Sequence, residues 1–120
     1  MTDVTTLYLR YGSRITTGVS ELFYDRVYAD PSLAPFFAGI EINRMQEHMS
    51  DVLSVLTGGP DLYKGRDLAV AHTPYGITDA DFDKLMAHMR AAIEKIGASA
   101  AEAEAMVEAM SEERPNIVSA

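Results

Sequence analysis

The stretch TDADFDKLMAHMRAAIEKIG, residues 78–97, decides the fold. Its apolar residues Phe82, Leu85, Met86, Met89, Ile93 and Ile96 recur at intervals of three and four, which places them on one face of a helix. Thr78 followed by acids is a helix start, because carboxylates favour the unpaired N–H groups of a first turn. Gly97 closes the element, so the spacing predicts a helix over about 79–96. On its C-terminal side, an alanine-rich run over 98–109 is good helix former, and Ala103, Met106, Val107 and Met110 mark a last helix over about 100–113, ended by Pro115. On its N-terminal side, a short helical piece over about 66–72 ends against Pro74 and Gly76, preceded by a loop over 60–66. Farther upstream, Met45, Met49, Val52, Leu53 and Leu56 predict a helix from about Asn43 to Leu56. Asn43 is its expected N-cap, with Gln46 three residues later, and Thr57-Gly58-Gly59-Pro60 stops it. Residues 14–28 carry Ile15, Val19, Leu22, Phe23 and Val27 on one face, and Asp30-Pro31 ends that helix because the residue before a proline is pushed out of helical geometry. Between these two helices, Pro31 to Gly39 reads as a compact turn wedging Phe36 and Phe37 inward, and a short helical turn near 5–11 opens the chain. No segment alternates as a strand would, and there is no repeat. The expected class is all-α, with four main helices.

Composition narrows the function. A chain of 120 residues, 48% apolar and 23% charged, is expected to form a single globular domain over 1–120. Ten basic against eighteen acidic residues leave a net charge of −8, a sign that repels nucleic acid and anionic membrane surfaces. The absence of cysteine excludes disulfides, thiolate metal sites, thiol catalysis and thioether-attached haem. The first residues hold no basic stretch followed by an apolar run, and no apolar run approaches a membrane span, so a soluble, cytoplasmic protein is expected.

Three histidines are the candidates for chemistry. His48, His72 and His88 are too far apart in sequence for a His-x-x-x-His metal pair on one helix. His72 closes the short helix, where an imidazole commonly meets the negative end of the dipole. His48 shares a face with Met45, Met49 and Val52, which suits a boundary histidine with one wet edge. His88 lies off the apolar stripe of its own helix, which favours a surface or edge role over ligation. Six methionines fall on inward stripes: Met45, Met49, Met86, Met89, Met106 and Met110. Such residues serve adaptable core packing, and they equally suit the lining of a large, flat, apolar ligand. No Gly-x-Ser-x-Gly or Ser-x-x-Lys element is present, and Gly58-Gly59 follows a helix where a phosphate cradle would precede one.

Taken in order, five segments resemble the truncated haemoglobins of the first (N-type) group. They are Leu7-Tyr8-Leu9-Arg10-Tyr11-Gly12, Phe23 to Asp30, Leu33 to Gly39, Gly58 to Arg66, and Ala71-His72 followed by Gly76 to Phe82. The resemblance covers Leu7 to about Val118 and implies a shortened, two-over-two globin fold enclosing one haem b. It implies His72 as the proximal iron ligand, Phe37 against the porphyrin, and the Tyr24 hydroxyl in the distal pocket. Met45 and Met49 fall at the two distal-helix pocket positions, with His48 between them. Phe82, Leu85, Met89, Met106 and Met110 would line the haem cavity. Two departures matter. The distal positions commonly hold glutamine, and methionine here leaves Tyr24 as the main donor to a bound ligand. Members that attach haem covalently use a histidine near the C-terminus, whereas the corresponding position here is about Glu113 and no histidine follows His88, so the haem is expected to be non-covalent.

The resemblance implies reversible binding of oxygen and of nitric oxide or carbon monoxide, in oxygen transport or in conversion of nitric oxide to nitrate with an unidentified reductase. A second reading gives the iron two axial histidines, His72 and His48, in a six-coordinate electron-transfer protein. A third is a cofactor-free helical interaction module, which a colourless protein would support.

Overall fold

The computed structural model describes residues 3–60 and 76–118. Among these residues the chain forms six α-helices joined by turns and 3-10 segments, with no strand. They are α1 (Leu7–Tyr11), α2 (Thr17–Tyr28), α3 (Ile42–Leu56), α4 (Asp79–Lys95), α5 (Ala100–Ser111) and α6 (Arg114–Ile117). Helix α2 packs on both α3 and α4, and α4 packs on α5. Leu7, Ile15, Val19, Val27, Leu53, Phe82, Met89, Ile93 and Met106 are fully buried between them. No described helix is long and apolar enough to cross a membrane.

Reciprocal side-chain caps start two of the six described helices. The Thr78 hydroxyl accepts the Asp81 N–H at 3.1 Å, and the Asp81 carboxylate accepts the Thr78 N–H at 3.1 Å. Ser99 and Glu102 repeat this reciprocal cap at α5, with distances of 3.1 and 2.9 Å. Each pair satisfies two N–H groups that a helix leaves unpaired at its start.

Three boundaries differ from the sequence expectation. Helix α3 starts at Ile42, and the Met45 N–H already bonds the Glu41 carbonyl at 3.3 Å, so Asn43 lies inside the first turn and does not cap. The helix expected from residue 14 begins as α-helix only at Thr17. Before it, Gly12–Arg14 is a 3-10 turn, and the Ile15 and Thr16 amides bond carbonyls three residues back. Pro115 does not end α5, which stops at Ser111; it sits in the first turn of α6, where a missing N–H costs nothing. Arg114 anchors that turn. Its guanidinium lies 3.0 Å from Asp79 and 2.5 Å from Asp83, and 4.5 Å above the Phe82 ring.

The segment between α2 and α3 wedges Phe37 inward as a 3-10 turn, Ala34–Phe37. Phe37 is buried and Phe36 half-buried against the same core. The helix expected over 66–72 lies outside the described residues.

The N-terminal segment is held at both ends. The Tyr8 amide bonds the Thr57 carbonyl at 3.0 Å, at the C-terminal end of α3. On α5, the buried Glu102 carboxylate accepts Arg10 at 2.5 Å and the Tyr11 hydroxyl at 2.6 Å. The Ser99 amide and the Tyr11 hydroxyl hold the Glu102 carboxyl below its ordinary range, while Glu102 pushes the Tyr11 phenol up.

Candidate functional site

The helical stripes converge on one apolar cavity of about 260 Å³. Helix α2 supplies Phe23 and Tyr24, and the corner after it supplies Phe37. Helix α3 contributes His48, Met49, Val52, Val55 and Leu56, five positions on one helical face. Phe82, Leu85 and Met86 come from α4, Ala109 and Met110 from α5, and Glu113 from the turn after it. Val55 is 46% exposed, so this wall reaches the protein surface.

The aromatic corner is braced edge to face. Tyr24 meets Phe23 with ring centroids 4.9 Å apart and Phe37 at 6.1 Å, and Tyr28 meets Phe37 at 6.5 Å. Edge-to-face pairs add to simple burial, so Phe37 is held on both sides. Burial raises the Tyr28 phenol above its ordinary pKa.

Helix α3 is tied to α2 by polar contacts. The Ser20 hydroxyl donates to the Gln46 carbonyl at 2.6 Å, and the Thr17 and Ser50 hydroxyls lie 3.2 Å apart. The far end of α3 is tied down by the Ser54 hydroxyl, which donates to the Pro60 carbonyl at 2.5 Å.

Seven of the residues expected from the sequence meet at the cavity: Tyr24, Phe37, His48, Met49, Phe82, Leu85 and Met110. Met89 and Met106 are fully buried in the core and are not on its wall, and Met45 packs half-buried against the same core. His72 lies outside the described residues. Phe23, Val52, Val55, Leu56, Met86, Ala109 and Glu113 line the cavity without having been singled out for it. Val52, Leu56 and Met86 were legible as members of inward stripes; what separates cavity wall from solid core is rotation of each helix about its axis.

His88 stands apart from the cavity. Its Nδ1 accepts from Arg26 Nε at 3.2 Å, so the ring proton sits on Nε2, 2.9 Å from the Asp30 carboxylate. The bond from His88, with two more from the Ser32 hydroxyl and amide, lowers the Asp30 carboxyl to about 2. This is the edge role expected from its position off the stripe.

The chemistry of the wall fits a flat, largely apolar macrocycle. Aliphatic, thioether and aromatic groups face inward from four helices, and polar side chains are few: the Tyr24 phenol, the His48 imidazole and the Glu113 carboxyl. The His48 Nε2 is enclosed and has no solvent contact. An imidazole and a phenol in apolar surroundings suit a haem iron and a small polar ligand on it.

Comparison with known proteins agrees. The bacterial-like globin family model matches residues 6–119. The group 1 truncated hemoglobin of Tetrahymena thermophila is 31% identical over 78 residues, covering 65% of this chain and 64% of that protein, so the match spans just under two thirds of the relative. The group 1 truncated hemoglobin GlbN of Nostoc sp. (strain MUN 8820) is 30% identical over 107 residues, covering 88% of this chain and 90% of its own. In fold, the Fe(III) form of the truncated hemoglobin from Tetrahymena pyriformis superposes with a TM-score of 0.86 at 24% identity, over 94% of this chain and 97% of that one. The chain belongs to the bacterial-like globin family, as a group 1 truncated haemoglobin with the two-over-two fold.

Proposed function

We propose that this globin holds haem b non-covalently in the cavity and reversibly binds oxygen, nitric oxide or carbon monoxide. The observation that carries the reading is the apolar cavity whose wall includes Tyr24 and His48. Ferrous haem supplies a coordination position for a diatomic ligand; the chain supplies exclusion of water and a donor beside that position. Tyr24 is that donor. With methionine at 45 and 49, α3 offers no amide there. His72 is the proximal ligand implied by the resemblance. Absorption spectra of the ferric, ferrous and carbon monoxide forms test the reading, together with His72→Gly, which should lose haem or bind it weakly and recover its spectrum with added imidazole. A His72→Gly spectrum identical to wild type overturns the ligand assignment. Haem that extracts fully into acidified organic solvent supports non-covalent attachment.

A cytoplasmic role in converting nitric oxide to nitrate belongs to the same proposal. Nitric oxide and oxygen combine to nitrate with one electron returned by a reductase, so turnover should require added reductase and reduced nicotinamide.

His48 on the cavity wall supports a second reading, in which it binds the iron opposite His72 and the protein transfers electrons. In that case the ferric protein is low-spin at neutral pH and His48→Ala turns it high-spin. A wild-type ferric protein that is already high-spin overturns this reading and leaves the first intact.

A further inference from the structure

Helix α3 carries His48, and it is hydrogen-bonded to α2 on the opposite side. Ser20 is wholly buried in α2, and its hydroxyl donates at 2.6 Å to the main-chain carbonyl of Gln46, two residues before His48. One turn away, Thr17 Oγ1 lies 3.2 Å from Ser50 Oγ. Thr17 precedes Ser20 while Ser50 follows Gln46, so the two contacts are successive rungs between helices running in opposite directions. At 3.6 residues per turn, His48 stands roughly 200° around α3 from Gln46. The rungs grip the back of the helix; His48, Met49, Val52 and Leu56 face the cavity.

The inner rung differs in kind from the apolar contacts around it. Apolar side chains slide over one another at small cost, but a short hydroxyl–carbonyl bond is directional. Ser20 is wholly buried, so breaking the bond costs its hydroxyl the partner that this helix packing provides. Rotation or translation of α3 toward the cavity therefore strains or breaks this bond.

We propose that Ser20 is a positioning residue whose bond to the Gln46 carbonyl holds α3 back against α2 and so limits how far His48 reaches toward haem iron. The proposal rests on the haem-binding reading above. Removing the hydroxyl shifts the balance toward the His48-bound form. A single net hydrogen bond corresponds to a change of roughly two- to tenfold in such an equilibrium.

The test compares purified holoprotein as wild type, Ser20→Ala, Ser20→Thr and the double variant Ser20→Ala/His48→Ala. Three quantities are read: the ferric low-spin fraction, the carbon monoxide association rate, and amide hydrogen exchange across α3. Ser20→Ala should raise the low-spin fraction, slow carbon monoxide association by roughly two- to tenfold, since the ligand must wait for His48 to leave, and speed exchange in α3. Ser20→Thr keeps the hydroxyl and should restore wild-type values. The double variant should be high-spin, which identifies His48 as the added ligand. An unchanged or lower low-spin fraction in Ser20→Ala, with an unchanged carbon monoxide rate, overturns the proposal while the haem reading stands. A low-spin signal that survives in the double variant also overturns it. Wild-type protein with no Soret band after haem addition overturns the underlying reading and this proposal with it.

Discussion

On the proposed reading, Tyr24 concentrates the ligand chemistry in one hydroxyl. Its ring is buried, packs edge to face on Phe23 and Phe37, and lines the cavity, so its position is set by neighbours on both sides. Oxygen on ferrous haem draws negative charge outward, and carbon monoxide does so far less. A hydrogen bond to such a polarised acceptor contributes about 1.5–3 kcal/mol. At about 1.4 kcal/mol per factor of ten, Tyr24→Phe should speed oxygen dissociation about tenfold or more, with a smaller effect on carbon monoxide. Stopped-flow dissociation rates for both ligands check this, and equal changes would mean that Tyr24 acts by shape alone. The methionines show what a residue type cannot say. Met49, Met86 and Met110 reach the cavity wall, whereas Met89 and Met106 disappear into the core, although all five obey the same helical spacing.

At the scale of elements, two junctions are exposed to simple tests. The turn after α3 passes so close to the N-terminal segment that a Cβ on Gly58 would lie 1.9 Å from the Thr5 carbonyl oxygen, at a φ of +85°. Gly39 has nearly the same backbone, at +83°, with no atom near an added Cβ. Each alanine substitution forces a left-handed residue, which costs about 1–2 kcal/mol, but only Gly58→Ala also displaces Thr5. Thermal melts should therefore show Gly39→Ala losing a few degrees, roughly 4 °C or more, and Gly58→Ala losing distinctly more. Equal losses would mean that the N-terminal segment yields freely. The second junction is the pair of His88 on α4 with Asp30 after α2. Asp30 is lowered from 3.8 to about 2 in the folded protein, so the stability it contributes is complete above about 3.8 and is lost as pH falls toward about 2. Melting temperature should fall over that window, and Asp30→Asn should flatten part of the fall. Identical pH profiles for the two proteins would show that the pair carries no pH-dependent stability. Because this group is open to solvent, the expected change is small.

On the proposed reading, the stability of the whole molecule depends on its cavity being filled. Four helices turn apolar faces toward the same space of about 260 Å³. A ligand that binds only the folded state stabilises it in proportion to the logarithm of its concentration over its dissociation constant, and a ligand at a thousandfold excess contributes about 4 kcal/mol. Holoprotein should therefore melt on the order of 10 °C or more above apoprotein. Equal melting temperatures would show that the core closes without haem.

Sequence alone determined the helical class, the four main helices to within a few residues, and the family, because apolar periodicity, helix-start residues and ordered motifs are local properties. The Thr78 cap was legible because the side chain that accepts and the amide that donates are three residues apart. Tyr24, Phe37 and His48 were legible through motif position. The start of α3 and the helix at Arg114 were not. Asn43 has capping chemistry, but the chain enters the helix two residues earlier, at Glu41; Pro115 is tolerated in the first turn of a helix that Arg114 clamps to Asp79 and Asp83. Only tertiary structure decided which stripe residues face the cavity and which fill the core, because spacing defines a face of a helix but not how that face is rotated against its neighbours. The same holds for the Ser20–Gln46 bond, the Glu102 anchor and the His88–Asp30 pair, each of which joins residues far apart in the chain that meet only once the helices have packed.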